Sequence, residues 1–235
     1  MFFYYNPILI AAAVLPAIAL MVFVYREDRM EKEPWPLLLT LLGQGVISTA
    51  LAVFAERLGT RALGWLLSSD TLLYQVIFNF AVVGLSEEGF KYLLLKRRTW
   101  YSPAFNCQFD GVVYAVFVSL GFALWENIDY VIMYGFGTAL LRAVTAVPGH
   151  ACFGVFMGAW YGLAKRCFNY GDLRRSRRCR IAAVVFPTLL HGLYDLIATV
   201  EHSPFSWTFV GFILLLFAAA LAAVRKLSRG DRYIG

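Results

Sequence analysis

Long apolar runs alternate with short polar segments along the whole chain. Seven runs approach the roughly 20 residues that an α-helix needs to cross a bilayer. They cover residues 7–25, 36–55, 72–95, 108–132, 138–164, 181–199 and 206–224. No polar stretch between them is long enough to bury a core of its own. The pattern predicts an all-α fold, a polytopic transmembrane helix bundle of about seven spans that forms one membrane domain over residues 1–235.

The composition favours the same class of protein. Hydrophobic residues make up 60% of the chain and charged residues only 15%, whereas a soluble domain has about 25% charged residues. The net charge of +6 comes from basic residues in short loops beside the apolar runs. That placement favours contact with the lipid bilayer and argues against nucleic acid as a partner. The four cysteines form no CxxC pair, so we expect no disulfide.

Basic residues follow every second span. They come after spans one, three, five and seven, whereas the other loops contain only two basic residues, Arg57 and Arg61. The positive-inside rule then predicts an outside N-terminus and a cytoplasmic C-terminus in a multi-pass protein of the plasma (inner) membrane. We also expect the apolar residues 62–67 to lie along the outer interface.

Several ionisable residues lie inside the apolar runs. Each charged side chain at the centre of a span costs roughly 2.5–3.5 kcal/mol, so six of them unpaired would cost about 15–20 kcal/mol. That exceeds the total stability of about 5–15 kcal/mol that folded proteins have. These groups must therefore be paired, protonated, metal-bound or hydrated in an internal cavity. The main ionisable set is Glu87, Glu88, Lys91, Glu126, Arg142, His150, His191 and Asp195, and the neutral but polar Asn127 lies beside Glu126.

The spacing of these residues places several of them on shared helix faces. Glu87 and Lys91 are four residues apart, and so are His191 and Asp195. We interpret Lys91 and Arg142 as charge partners of the acids, and Asn127 equally as a helix–helix contact or a site residue. Two further acids near span ends, Asp110 and Asp129, are expected to face water.

Carboxylates and imidazoles around one membrane cavity suit hydrolysis of an amide. A carboxylate in an apolar pocket can act as a base near neutral pH, and a histidine can stabilise developing charge. Other proteolytic patterns are missing from the sequence: it contains no HExxH zinc motif, no rhomboid-type Gly-x-Ser-Gly, and no GxGD partner for Tyr194-Asp195. The predicted site spans residues 72–199.

Five strings together resemble the PrsW family of membrane proteases. That family belongs with the CAAX-prenyl endopeptidases and bacteriocin-processing enzymes. The resemblance covers spans one to six, and four motifs in order on separate spans make it specific. The strings are DRMEKEP (28–34), EEGFK (87–91), FALWE (122–126), RAVTAVPGH (142–150) and HGLYD (191–195).

The resemblance implies a glutamate-dependent intramembrane peptidase that makes the site-1 cut in a membrane-anchored anti-sigma factor. Carried over, Glu87 activates water, and Glu88 and Glu126 support it. His150 and His191 then orient water and stabilise charge. Asp195 stands where CAAX enzymes often have Asn, and a carboxylate cannot donate to an oxyanion unless it is protonated. We expect Asp195 to orient His191 or to bind a metal.

Two alternatives stay open at this point. The first is a peptidase that uses a divalent metal such as zinc, because Glu, His and Asp are suitable ligands. Its ligands would come from Glu87, Glu126, His150, His191 and Asp195. The second is a non-enzymatic membrane binder or transporter with a polar cavity.

The depth of the two candidate acids in the membrane differs. Counted along the spans, Glu87 falls slightly to the cytoplasmic side of the midplane and Glu126 to the outer side, with a gap on the order of 10 Å. Helix tilt, or a helix break near Gly121, would be needed to bring the two together.

Overall fold

The computed structural model describes residues 7–200 and 206–234, and these ranges are helical apart from short connections and one isolated bridge between Cys107 and Tyr233. The all-α prediction is therefore confirmed. All four cysteines are free, as expected. The helices are α1 (Pro7–Glu27), α2 (Trp35–Leu66), α3 (Leu72–Ile77), a π-helical segment (Phe78–Gly84), α4 (Leu85–Thr99), α5 (Asp110–Tyr134), α6 (Phe136–Val144), α7 (Ala146–Asn169), α8 (Leu173–Val200) and α9 (Trp207–Arg229).

Within the described ranges, five helical stretches are long and apolar enough to cross a membrane. They are Trp35–Leu66, Asp110–Tyr134, Phe136–Asn169, Leu173–Val200 and Trp207–Arg229. Counting α1 and the continuous run from α3 to α4 as well would give the predicted seven. The number of spans and the orientation across the bilayer stay predictions.

The third predicted span is not a uniform α-helix. Its middle, Phe78–Gly84, is π-helical, and only then does α4 begin. A π-helical turn accommodates an extra residue and changes the direction in which the following side chains point. The apolar pattern contains no signal for this change, although the segment ends just before Glu87 and Glu88.

The fifth predicted span is two helices, α6 and α7, that meet at Thr145. Pro148 explains the break, because it has no N–H to donate to the carbonyl of Val144 and its ring clashes with that carbonyl. Arg142 therefore lies on the short α6 and His150 on α7.

Three helices, α2, α7 and α8, extend well beyond the ends of the predicted apolar runs. Residues 62–66 continue α2 and do not form a separate interfacial segment. The basic stretch 165–180 is mostly helical, because α7 runs to Asn169 and α8 starts at Leu173. The connection between those two helices is therefore very short.

Helix α5 is the centre of the bundle. It is apolar on all sides, as expected for a helix surrounded by others, and it is buried continuously from Asp110 to Ala123. Gly45 and Gly121 let α2 approach it closely, since a Cβ on Gly45 would collide with the main chain of Val118. Helix α5 has no break at Gly121, so that predicted route for moving Glu126 is wrong.

The loops that carry basic residues meet at one end of the bundle, which we call the basic end. The Ile234 amide donates to the Asn106 carbonyl at 2.8 Å, and Asn169 donates to the Ile234 carbonyl at 2.7 Å. The Ser228 hydroxyl donates to the carbonyl of Glu27. The segments after α1, α4, α7 and α9 are thus held together, as the alternating charge pattern requires.

Candidate active site

The first turns of α4 bring two glutamates to one lysine. The Lys91 ammonium lies 3.2 Å from Glu87 Oε2 and 2.7 Å from Glu88 Oε1. Each acid precedes the lysine by three or four residues, which is the favourable order on a helix. Lys91 is fully buried, and its ammonium also lies 3.9 Å from the centre of the Phe122 ring. Removing this cation would leave two carboxylates buried without compensation.

A histidine connects this lysine to the third glutamate. Lys91 Nζ lies 3.1 Å from His150 Nδ1, and His150 Nε2 lies 2.9 Å from Glu126 Oε2. An ammonium can only donate, so we assign Nδ1 as the acceptor and Nε2 as the N–H that donates to Glu126. Glu126 therefore reaches the α4 glutamates through Lys91 and His150, which bridges the predicted gap in depth.

Glu126 is held from its other side by α6. Arg142 Nη2 lies 2.8 Å from Glu126 Oε2, and Arg142 Nε donates to Asn127 Oδ1 at 3.1 Å. Asn127 in turn donates to the carbonyl of Ala13 in α1 at 2.9 Å. Asn127 thus ties α1 to α5, and Arg142 neutralises Glu126.

The second histidine faces carboxylates with both ring nitrogens. His191 Nδ1 lies 3.0 Å from Glu88 Oε1 and 3.8 Å from Glu87 Oε2. Its Nε2 lies 3.3 Å from Asp195 Oδ2. The ring stacks on Phe153 at 4.7 Å between centroids, which restricts its orientation. His191 is therefore fixed between the α4 glutamates and Asp195.

Glycines allow α8 to reach α4 closely enough for these contacts. A Cβ on Gly192, the residue after His191, would come within 2.6 Å of the Phe80 ring in the π-helical segment. A Cβ on Gly84 would come within 3.1 Å of the Thr188 carbonyl on α8. The helices thus approach closest directly beside the contact between His191 and Glu88.

One acid near this site was not singled out by the sequence. Glu56 on α2 is half-buried and lies close enough to Glu87 and Glu126 to interact with them electrostatically. The second apolar run ends just before it, so Glu56 seemed to belong to a loop. The continuation of α2 to Leu66 brings it beside the carboxylates.

The donor atoms of the site fit a divalent metal. Glu87, Glu88, His150 and His191 each present one ligand atom, and these atoms lie within 4.8 Å of one another. Such a mixture of oxygen and imidazole ligands suits Zn²⁺. Glu88 Oε2 is also buried and accepts no hydrogen bond from a described residue. The ligand set expected from the sequence included Glu126 and Asp195 but not Glu88. The group found in the structure includes Glu88 and neither of those two acids.

Lys91 limits that fit. Its ammonium lies 2.7–3.2 Å from Glu88, His150 and Glu87, so it occupies the space between three of the same four residues. A metal there would require the ammonium to move away.

The two acids expected to face water differ. Asp129 is exposed, but Asp110 is completely buried, so that expectation is wrong for Asp110. Asp110 starts α5 at a point where the loop after α4 and the C-terminal tail cover it. The third histidine, His202, which the sequence places between the last two apolar runs, lies outside the described residues.

Comparison with known proteins finds similarity over nearly the whole chain. A profile of the family described as "PrsW family intramembrane metalloprotease" matches residues 33–224. No solved structure gives a significant match.

Curated relatives agree with the family match. A protein named Protease PrsW from Oceanobacillus iheyensis is 32% identical over 218 residues, which cover 93% of this chain and 95% of the relative. Protease PrsW from Halalkalibacterium halodurans is 31% identical over 224 residues, or 95% and 99% of the two chains. Protease PrsW from Bacillus subtilis is 32% identical over 219 residues, or 93% and 94%. These matches favour a membrane peptidase over a transporter or binder.

Proposed function

Because the chain belongs to the PrsW family of membrane proteases, we propose that it is an endopeptidase that cuts a membrane protein substrate with Glu87 as the residue that activates water. The observation that carries this proposal is the convergence of Glu87, Glu88, His150 and His191 from three helices. We further propose, from the motif resemblance, that the substrate is a membrane-anchored anti-sigma factor and that the cut is the site-1 cleavage.

The contacts of the two adjacent glutamates support different roles for them. Glu88 is fully buried and held at 2.7 Å by Lys91 and 3.0 Å by His191. Glu87 has longer contacts, 3.2 Å to Lys91 and 3.8 Å to His191, and is 6% exposed. Glu87 is thus the less tightly held and more exposed of the two acids, which favours it as the one that meets water, whereas Glu88 positions Lys91 and His191.

In the proposed reaction, Glu87 takes a proton from water while the water oxygen attacks the peptide carbonyl carbon. The C–N bond then breaks, and the proton held by Glu87 passes to the leaving amine nitrogen. His191 and His150 assist by orienting the water and stabilising charge on the former carbonyl oxygen. Asp195 fixes the orientation of His191, and Arg142 and Glu126 fix that of His150.

A metal-dependent form of this activity is favoured by one observation, the buried and unpartnered Glu88 Oε2 within a Glu and His donor set. Glu87, Glu88, His150 and His191 would hold the metal. A bound Zn²⁺ would lower the pKa of water and polarise the carbonyl. Glu126 and Asp195 would then orient the two histidine ligands from behind.

The substrate and the base can be tested in one experiment. Membranes from cells that express wild-type protein, Glu87→Gln or the exposed control Glu31→Gln are compared by mass spectrometry of new protein N-termini. We expect a cut in a membrane-anchored anti-sigma factor with wild type and Glu31→Gln but not with Glu87→Gln. Equal cleavage with Glu87→Gln would defeat the assignment of the base, and a cut only in other membrane proteins would defeat the substrate.

The metal form is tested on purified wild-type protein. Elemental analysis by mass spectrometry, together with cleavage before and after treatment with a strong chelator, separates the two mechanisms. Full cleavage without bound metal supports the carboxylate mechanism. Cleavage that is lost with the metal and regained when Zn²⁺ returns supports the metal-dependent one.

A further inference from the structure

A second group of buried carboxylates lies at the basic end, far from the active site. Asp28 and Glu33 come from the loop between α1 and α2, in the DRMEKEP string that the proposed function does not use. Asp110 is the first residue of α5. The three are 1%, 3% and 0% exposed, and each offers a carboxylate oxygen within 4.8 Å of the others. We call these three residues the carboxylate cluster.

The cluster contains no cation of its own. No ion pair joins its carboxylates to any Lys, Arg or His side chain in the described ranges. The neighbouring Lys32 directs its ammonium to main-chain carbonyls instead, including that of Tyr25 at 2.6 Å. The Lys32 ammonium thus binds carbonyl groups at the end of α1 and forms no ion pair with the cluster.

Three carboxylate oxygens of the cluster accept no hydrogen bond from a described residue. Neither carboxylate oxygen of Asp28 accepts a hydrogen bond from a described residue; the main-chain amide of Glu33 interacts with Asp28 but does not reach hydrogen-bond geometry. Asp110 Oδ1 is unpartnered too. Leaving a buried acceptor unpaired costs about 1–3 kcal/mol, and more if it is charged. Several such atoms at one point indicate that a ligand satisfies them.

Other contacts hold the carboxylates in place around that point. The Tyr114 hydroxyl donates to Glu33 Oε2 at 2.6 Å, and the amides of Asn106 and Cys107 donate to Asp110 Oδ2 at 3.0 and 2.7 Å. Burial, with neighbouring carboxylates, raises the pKa of Asp28 to about 6 and that of Glu33 to about 7. These hydrogen bonds fix the orientation of Glu33 and Asp110. No ion pair with a described cation offsets the free-energy cost of burying the negative charge of the cluster.

We propose that the carboxylate cluster binds a hard divalent cation of the size of Ca²⁺, with Asp28, Glu33 and Asp110 as ligands. Oxygen-only ligands favour Ca²⁺ or Mg²⁺ over Zn²⁺. Mg²⁺ dehydrates reluctantly and usually keeps several waters, whereas Ca²⁺ takes more of its oxygen ligands from the protein. A buried site that offers three carboxylate oxygens within 4.8 Å of one another therefore fits Ca²⁺ better. Bound there, the ion links the loop after α1 to the start of α5.

This site is separate from the active site. Asp110 and Glu126 lie on the same helix, α5, sixteen residues apart, which corresponds to about 24 Å along its axis. The active site also offers imidazole nitrogens, which the cluster lacks. The two sites can therefore be told apart by the cation they prefer and by separate substitutions.

Terbium luminescence tests the site directly. Tb³⁺ replaces Ca²⁺ in oxygen sites, and Tyr114, hydrogen-bonded to Glu33, is placed to sensitise its emission. The full-length protein is purified in detergent, treated with EDTA and desalted, and then titrated with Tb³⁺. We expect saturable emission that Ca²⁺ displaces and Mg²⁺ displaces less well. Asp28→Asn should weaken binding at least tenfold, whereas the exposed control Asp129→Asn should bind like wild type.

Thermal unfolding of the same proteins separates a cation site from a purely structural cluster. We expect Ca²⁺ at a hundredfold excess over its dissociation constant to raise the Tm of wild type by about 5 °C or more. Glu87→Gln should show the same rise, because its carboxylate belongs to the other site. Asp28→Asn should show none, yet in EDTA it should be at least as stable as wild type. No saturable response in wild type, or an undiminished response in Asp28→Asn, would overturn the proposal.

Discussion

The active site and the carboxylate cluster are both buried collections of acids, and they differ in what faces the carboxylate oxygens. In the active site, Lys91 lies between Glu87 and Glu88, and Arg142 faces Glu126. In the cluster, Asp28, Glu33 and Asp110 face one another, and no cationic side chain in the part of the chain that the structure describes forms an ion pair with them.

The difference shows two ways to keep acids inside a folded chain. In the active site the compensating cation belongs to the chain, so the carboxylates are always neutralised and substrate or metal must compete with Lys91. In the cluster the carboxylates can be neutralised only by protons or by an ion from solution. The elements differ as well: helices α4, α5, α7 and α8 form the active site, whereas a loop and a helix start form the cluster.

The largest expected effect comes from breaking the active site alone. Removing the imidazole in His191→Ala should lower the rate of substrate cleavage about 10³-fold, because His191 contacts both α4 glutamates and, in the proposed mechanism, assists catalysis. The measurement is cleavage of the substrate segment by purified protein at matched folded concentration. Asp28→Asn is the comparison variant and should keep most of the activity. A loss of less than threefold in His191→Ala would contradict the role.

Removing the internal cation should make the active site resemble the cluster. Lys91→Met leaves Glu87 and Glu88 buried without their partner, which typically costs about 3–5 kcal/mol of unfolding free energy. Chemical or thermal unfolding in detergent measures it. Lys96→Met, on the same helix and without a described ion pair, is the matched control. Equal stability of the two variants would show that Lys91 does not hold the acids.

Close helix approach should matter for the active site and not for the cluster. Gly192→Ala introduces a Cβ that meets the Phe80 ring at 2.6 Å, and such overpacking costs about 1–3 kcal/mol. We expect a lower Tm and slower cleavage, because α8 carries His191. Gly211→Ala is the control, since its Cβ would meet nothing within 4 Å. A Tm of Gly192→Ala equal to that of Gly211→Ala would refute the effect, and the response to Ca²⁺ should survive in both.

The smallest effect is the pH dependence of the metal-free cluster. Burial raises the pKa of Asp28 from 3.8 to about 6 and that of Glu33 from 4.5 to about 7. The folded state therefore binds more protons than the unfolded state, and stability falls as pH rises from about 4 to about 7. Asp231 and Glu31 also raise the pKa of Asp28, which Lys32 lowers. Asp28 and Glu31 also raise the pKa of Glu33, which hydrogen bonds with Tyr114 and Asp110 lower.

Thermal unfolding across this pH range, in EDTA and in Ca²⁺, checks that prediction. We expect a falling Tm in EDTA, a flatter profile in Ca²⁺, and a smaller fall for Asp28→Asn in EDTA. A Tm that rises with pH in EDTA would contradict the prediction that the folded cluster binds more protons than the unfolded chain.

Local patterns were enough for the helical class and for most of the site residues. The intervals from Glu87 to Lys91 and from His191 to Asp195 place each pair on one helix face whatever surrounds it. A charged residue in an apolar span also requires a partner wherever the helix packs. For this reason the sequence alone predicts that Lys91 and Arg142 are charge partners of the acids.

Local sequence patterns do not predict features that depend on packing between helices. The π-helical segment, the half-buried Glu56 and the link from Glu126 through His150 all depend on how α2, α5 and α7 pack. The buried Asp110 was missed for a related reason. Its position at a span end predicts contact with water, and only the covering loops and tail exclude it.

The sequence by itself determined that this protein is a membrane-embedded helical bundle with acids and imidazoles inside it, because hydropathy and helical spacing are properties of each segment alone. Only the tertiary structure decided which acids share a cation and which do not. That choice depends on contacts of about 3 Å between side chains of different helices, such as Arg142 with Glu126. It also depends on whether a lysine points inward, as Lys91 does, or binds main-chain carbonyls, as Lys32 does.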